Sequence, residues 1–329
     1  MSHRPAATAA LLGLLVAAVA GGLLLGAVPI SPGDVWGSLW TPAGEPATRT
    51  IIRSIRLPRV IAGLLTGASL GVSGVMFQAL LRNPLAEPYL LGVSSGAAFG
   101  AVVALTMLGG AAGPVPLAGF ALAGALIAIG IVFRAARVVG TVDTRVLILA
   151  GVVVSAFFGA GVMLLLALAR ADEVRSAVLW TMGSLEGIGW PAIWLLAATT
   201  AGSLAVGSGL ARHLNALALG EDAAAHLGTN VELVKRTTYL VASGAAAVAV
   251  SVAGVIGFVG LVVPHAVRMI WGVDHRSLVP LTALGGAAVL VIADALAQSI
   301  ARPLVLPVGV VTALVGVPLF LVLLRRSSV

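Results

Sequence analysis

The chain has 329 residues, 60% of them hydrophobic and only 9% charged, with 41 glycines and no cysteine, whereas a soluble domain carries about 25% charged residues. These proportions exclude a water-soluble globular domain, and the missing cysteine excludes disulfides and thiol chemistry. The formal net charge of +7 sits mostly between apolar runs, so it reads as membrane topology and not as a nucleic-acid surface.

The runs are continuously apolar and not alternating, which excludes a closed β-barrel. The fold class is therefore all-α and integral to the membrane. A spanning helix needs roughly 20 apolar residues; hydropathy alone supports nine or ten spans, and ten, the count that the resemblance described below implies, fit at 6–28, 58–81, 92–108, 114–134, 144–168, 189–209, 234–255, 257–270, 277–300 and 308–324. The first follows a basic start, His3-Arg4, and exceeds the length of a signal-peptide core, so it reads as a retained span. A basic cluster, Arg49, Arg53, Arg56 and Arg59, precedes or opens the second. That helix begins at Pro58, where a missing N–H costs nothing, and ends at Arg82-Asn83-Pro84. Along it Gly63, Gly67, Gly71 and Gly74 form one smooth face for close helix approach. The fifth span carries small residues at Gly151, Ser155, Gly159 and Ala160, and Arg170, Asp172, Glu173 and Arg175 after it predict a short helix.

The longest polar interruption is 210–236. Within it, 217–228 predicts one short helix, with Glu221 and Asp222 complementing the dipole of its first turn and Gly228 as its stop. Leu217, Ala224 and Leu227 would make an apolar patch. The segment is either a plain surface connector or a helix that docks in a partner's groove. The run 257–270 is too short to cross straight and reads as a half-helix. His265 within it has no second ligand at metal spacing. Asp294 is the one acid predicted well inside a span; an unpaired carboxylate there is costly, so it is expected to pair with a polar neighbour. Gln78 and Gln298 are expected to bond between helices.

With the N-terminus in the cytoplasm, Arg4, Arg82, Arg134, Arg137, Arg145, Arg212, Lys235, Arg236, Arg268, Arg276, Arg325 and Arg326 lie inside, against Arg49, Arg53, Arg56, Arg59, Arg170, Arg175 and Arg302 outside. Both termini are then cytoplasmic. The Arg49–Arg59 cluster runs against the rule: either lipid headgroups hold these side chains, or a partner does. A weak inverted repeat aligns Arg56, Val72, Gly74, Val75 and Pro84 with Arg236, Val252, Gly254, Val255 and Pro264, 180 residues on.

Arg56-Leu-Pro-Arg59, Gly74 with Gln78, Asn83-Pro-Leu-Ala-Glu-Pro88, Leu91-Gly-Val-Ser-Ser-Gly96 and Gly257-Phe-Val-Gly-Leu-Val-Val-Pro-His-Ala-Val-Arg268 resemble the permease subunits of iron-siderophore, haem and cobalamin ATP-binding-cassette importers. The resemblance runs from about residue 6 to 325. It implies one transmembrane permease domain over 1–329 with a cytoplasmic coupling segment at 215–228, in a multi-pass protein of the cytoplasmic membrane. It implies a homodimer, two ATPase subunits and a periplasmic or tethered substrate-binding protein as partners, alongside the lipid bilayer, and no nucleic acid. There is no phosphate-binding Gly-x-x-x-x-Gly-Lys-Ser/Thr run, so no cofactor and no metal are expected on this chain; ATP and Mg belong to the ATPase, and the chain is a transport subunit and not an enzyme.

By the same resemblance Leu217, Leu219, Gly220, Glu221, Asp222, Ala223, Ala224, Leu227 and Gly228 couple to the ATPase. Arg56, Arg59 and Arg302 dock the binding protein. Asn83, Leu85, Gly140 and Thr141 form the cytoplasmic gate. Two departures touch the docking: Gln298 stands where relatives carry an arginine, and Val305 where they carry a glutamate. Arg302, one turn beyond Gln298, is the candidate replacement. Two other classes make different demands on the residues. An ion-gradient-driven secondary transporter would show several paired intramembrane charges, and a lipid-modifying enzyme a polar cluster at one membrane face. The carried chelate is not named by a wall of Ala, Leu, Val and Ser.

Overall fold

The computed structural model describes residues 4–26, 28, 30–40, 46–109, 113–138 and 141–327. Ten helices occupy the ten predicted spans: α1 (Arg4–Leu24), α4 (Leu57–Leu80), α5 (Val93–Leu108), α6 (Pro114–Ala136), α7 (Thr144–Leu168), α9 (Trp190–Gly209), α12 (Val231–Ala253), α13 (Val259–Trp271), α14 (His275–Ser299) and α15 (Val308–Ser327). Shorter helices decorate the ends: α2 (Pro32–Trp40), α3 (Pro46–Thr50), α8 (Ala171–Thr181), α10 (Ala211–Ala218) and α11 (Glu221–His226). A two-residue hairpin, β1 (Arg137–Val138) and β2 (Thr141–Val142), links α6 to α7, with Arg137 opposite Val142 and Val138 opposite Thr141.

The second span does not start at Pro58, as the sequence suggested. Helical backbone runs unbroken from Pro46 to Leu80, and a π-helical turn, Ile51–Arg56, joins α3 to α4. Proline at 58 has no N–H for the carbonyl one turn back, and a widened turn just before it absorbs that missing bond.

The glycine face of α4 does what its spacing predicts. A methyl group on Gly67 would stand 2.2 Å from the carbonyl oxygen of Gly286, and one on Gly71 2.7 Å from that of Thr282, so α4 and α14 meet backbone to backbone. Gly74 makes the corresponding contact with Gly260 of α13. α5 and α6 meet in the same way through Gly96, Gly100 and Gly124. Water does not drive helices together inside lipid, so such contacts supply the packing. Polar side chains add to it: Ser69 and Ser73 of α4 donate to the carbonyls of Ala245 (3.2 Å) and Ala242 (2.7 Å) in α12. Tyr239 lies between Phe133 (stacked, 5.4 Å) and Phe77 (edge-on, 6.2 Å) and donates to the Ile129 carbonyl at 3.1 Å.

Ser69 pairs with the later residue of α12 and Ser73 with the earlier, so α4 and α12 are antiparallel. α12 is followed by non-helical backbone and then the short helix α13, and α4 by a turn and a single 3-10 turn (Pro88–Leu91) and then the short helix α5. That is an inverted repeat at the level of elements. The register differs from the offset of 180: the residues that open the two short helices, Gly92 and Phe258, are both left-handed (φ 84° and 69°). α13 is the half-helix expected over 257–270. Its preceding segment, Gly254 to Phe258, crosses protein interior without helical bonds, which is tolerated in a membrane protein only where other groups satisfy the backbone.

Candidate functional site

The polar interruption folds as two helices, not one. α10 ends at Ala218, the chain turns at Gly220 (φ 119°), and α11 runs from Glu221 to His226. Gly228 (φ 79°) stops it: its N–H bonds the Ala225 carbonyl and the Thr229 N–H bonds that of Ala224. Only glycine reaches these left-handed angles without strain. The break changes which residues face outward. Leu217 and Ala224, expected on an exposed patch, are buried; Leu217 packs with Ala79, Leu214 and Val234. The exposed apolar pair is Leu219 (71%) with Leu227 (66%). Glu221 is tied back to a buried Lys235 at 2.9 Å, so α11 is fixed to the foot of α12.

Asn215 on α10 clamps the turn that opens α14. Its amide donates to the Asp274 carboxylate at 2.7 Å and its oxygen accepts from the His275 N–H at 2.9 Å and from His275 Nδ1 at 2.7 Å. The amide oxygen cannot donate, so the His275 proton sits on Nδ1. Asp274 caps α14 through the Arg276 N–H. The Asn215 bond, then the Arg276 N–H, hold its carboxyl below the usual carboxylate range.

One predicted gate residue, Asn83, and one predicted coupling residue, Leu219, line the same cavity. A space of about 520 Å³ lies among Arg82, Asn83, Asn215, Leu219, Arg268 and His275. Asn83 is exposed and accepts the Leu85 N–H at 2.9 Å, a tight side-chain turn that sets the exposed Leu85. Thr141 is not part of this cavity. It lies in β2, whose Val142 N–H bonds Glu232 at the start of α12. Gly140 falls outside the described residues.

The other face of the bundle holds the arginines. Arg56 (4% exposed) donates to the carbonyls of Leu23 (2.6 Å), Leu24 (2.9 Å) and Val28, capping the C-terminal end of α1. Arg59 (8% exposed) makes a two-bond pair with Asp294, at 2.8 and 2.9 Å. Both side chains are turned inward, Arg56 onto backbone carbonyls and Arg59 onto a carboxylate. A cation needs this: buried in an apolar bundle, it is held by carbonyls or a carboxylate or it is not held at all. Arg302 is exposed, and its guanidinium donates to the Ser299 hydroxyl at 3.4 Å. Asp294 has the polar partner expected of it. Gln298, though, donates to Asp294 one turn back in its own helix (2.8 Å) and does not reach another. Gln78 does bond between helices, accepting from Arg268 of α13 at 2.8 Å.

Two partly buried polar contacts were missed. Glu87 accepts the Phe258 N–H at 2.8 Å, and the Tyr89 hydroxyl accepts the Ile256 N–H at 3.3 Å. The loop 83–92 therefore folds back into the bundle and satisfies the bare backbone before α13. The signal was present in Pro88, which holds the preceding Glu87 in extended backbone (φ −117°, ψ 143°). Among the described residues no group of three or more His, Asp or Glu stands close enough to hold a metal ion.

The sequence model of the FecCD transport family matches residues 14–326. The chain is 43% identical over 311 residues to the cobalamin import system permease protein BtuC of Halobacterium salinarum, covering 92% of this chain and 83% of that protein. It is 40% identical over 322 residues to the hemin transport system permease protein HmuU of Yersinia pestis, covering 96% and 94%. A metal-chelate type ABC transporter solved in an inward-facing conformation superposes with a TM-score of 0.86 at 30% identity, over 98% of this chain and 99% of that one.

Proposed function

The chain belongs to the FecCD transport family and is the permease subunit of an ATP-driven importer, and from that premise we propose how its parts divide the work. Two copies form the pathway across the cytoplasmic membrane, with both termini inside. Two ATPase subunits sit beneath, bearing the ATP and Mg, and a substrate-binding protein docks above. The substrate is a large metal chelate of the corrinoid, haem or ferric-siderophore kind. The observation that carries this reading is the shared cavity: the gate residue Asn83 and the coupling residue Leu219 line one space, so a push on α10–α11 is delivered next to the gate.

Leu219 and Leu227 are the anchors for the ATPase groove. Changing both to aspartate places two charges in an apolar socket. Interface anchors of this kind cost at least about 2 kcal/mol each when lost. ATPase binding to the detergent-solubilised permease should weaken at least about 30-fold, with the permease still monodisperse. Full retention of ATPase binding would show that α10–α11 is a plain connector.

Docking of the binding protein rests on Arg302 and not on the inward-facing Arg56 and Arg59. An exposed arginine bonds carboxylates with both arms of its fork. Arg302→Glu should slow association and lose about tenfold in affinity at low salt, read by biolayer interferometry on the reconstituted importer. Affinity equal to the parent's at every ionic strength would move the docking site elsewhere. The function itself is tested in proteoliposomes given ATP and no ion gradient, with cyanocobalamin, hemin and ferrichrome offered in turn through the cognate binding protein. Uptake of one of them is expected; uptake that needs a gradient and ignores ATP would make the protein a secondary transporter.

A further inference from the structure

Among the described residues, only two that are not glycine have left-handed backbone: Arg82 (φ 49°) and Phe258 (φ 69°). Strain of this kind persists only where the surroundings impose it, and it gathers at parts that move. The two residues are far apart in sequence and bracket one contact. Arg82 ends α4 and starts the loop that carries Asn83 and Leu85. Phe258 starts α13. Between them Glu87, on that loop, accepts the Phe258 N–H at 2.8 Å.

The contact is partly buried at the edge of the bundle's packed interior. Pro88, beside Glu87, packs against Gly260, which in turn meets Gly74 of α4. Gly74 stands six residues before Leu80, or about 9 Å along the helix. A carboxylate at that depth needs a donor, and an N–H at the start of a half-helix needs an acceptor; each supplies the other. Further along, α13 is held by Arg268 to Gln78 of α4. The turn from α13 into α14 is held by Asn215 of α10. Side-chain bonds thus connect the α10–α11 segment to the start of α14, and Glu87 connects α13 to the gate loop.

We propose that Glu87 is a positioning residue for transport: its carboxylate ties the gate loop to α13, so that the loop follows α13 when the coupling segment is displaced. The strained φ of Phe258 is held in place by that bond. When the bond is lost, Phe258 is free to relax, and the loop carrying Asn83 and Leu85 no longer tracks α13. This rests on the importer reading above, and it adds the residue that links the ATPase side to the gate.

The chain has no native cysteine, so Leu85→Cys gives a single reporter at an exposed gate position. The complex with its ATPase is reconstituted, and the rate of modification by a charged maleimide is read without nucleotide and after trapping with ATP and vanadate. In the Leu85→Cys parent the two rates are expected to differ by at least about fivefold, the lower end of ordinary allosteric coupling. Adding Glu87→Ala should bring them within about twofold of each other while ATPase binding and turnover persist. Glu87→Gln, whose amide oxygen still accepts the Phe258 N–H, should restore most of the difference. That rescue is a result general destabilisation would not give.

If Glu87→Ala does not fold, Glu87→Asp takes its place, because it keeps the charge and shortens the reach, and the same loss is expected. A nucleotide response in the Ala or Asp variant equal to the parent's overturns the proposal. A parent whose Leu85 cysteine ignores nucleotide overturns it too, by removing Leu85 from the gate. In either case ATP-driven uptake by the unmodified protein would leave the importer reading standing.

Discussion

Gly74→Val should yield no assembled permease. A Cβ at Gly74 would stand 1.9 Å from the carbonyl oxygen of Gly260 and 2.6 Å from its carbon. The obstacle is backbone, so no rotamer change relieves it. α13 would have to withdraw from α4, and with it would go the bonds from Arg268 to Gln78 and from Phe258 to Glu87. Overpacking a core ordinarily costs about 1–3 kcal/mol; a clash with backbone that also breaks two polar contacts belongs to the class above about 4 kcal/mol. Gly130→Val on α6 is the matched control, since nothing lies within 4 Å of that position. Size-exclusion profiles and thermal unfolding in detergent decide it. Monodisperse Gly74→Val with a melting temperature near that of Gly130→Val would mean the α4–α13 approach is not as close as described.

The second large effect concerns the buried pair. Arg59→Leu alone leaves the Asp294 carboxylate buried with only Gln298, and Asp294→Leu alone strands the Arg59 guanidinium. Each single change should cost about 3–5 kcal/mol, whereas replacing both charges with apolar groups is often neutral or stabilising. The double variant should therefore unfold later than either single one, and a double-mutant cycle from thermal unfolding measures the coupling. Additive losses would show that the two charges do not depend on each other. The same geometry bears on docking: Arg59→Glu would set two acids face to face in the bundle, so any loss of binding-protein affinity in that variant reports misfolding first.

The spans were legible because lipid makes the rule simple: long apolar runs with charged ends. Even α13 was recognisable by its shortness. The glycine face of α4 was legible for the same reason, since only backbone contact explains four glycines on one stripe. The burial of Arg56 and Arg59 was not legible, because a charge count locates a cation at a membrane face without telling which way it points. Arg56 and Arg59 point inward, and their partners, the α1 carbonyls and Asp294, are 28 to 33 and 235 residues away. The coupling patch was misread by helical phase. One helix over 217–228 puts Leu217 and Leu227 on related faces; the turn at Gly220 resets the phase and exposes Leu219 instead. Glu87 was missed because it lies in no span, yet the loop that holds it turns back into the bundle.

The bare segment before α13 also governs how this protein can be made. At 13 residues α13 is too short to be threaded into lipid as an independent unit during synthesis. Two backbone N–H groups ahead of it, at Ile256 and Phe258, take their acceptors from Tyr89 and Glu87, which leave the ribosome about 170 residues earlier, as the separations of 167 and 171 require. The first half of the chain is thus a template that must already be seated when the second half emerges. The order of translation, first half then second, is the order in which the acceptors are needed.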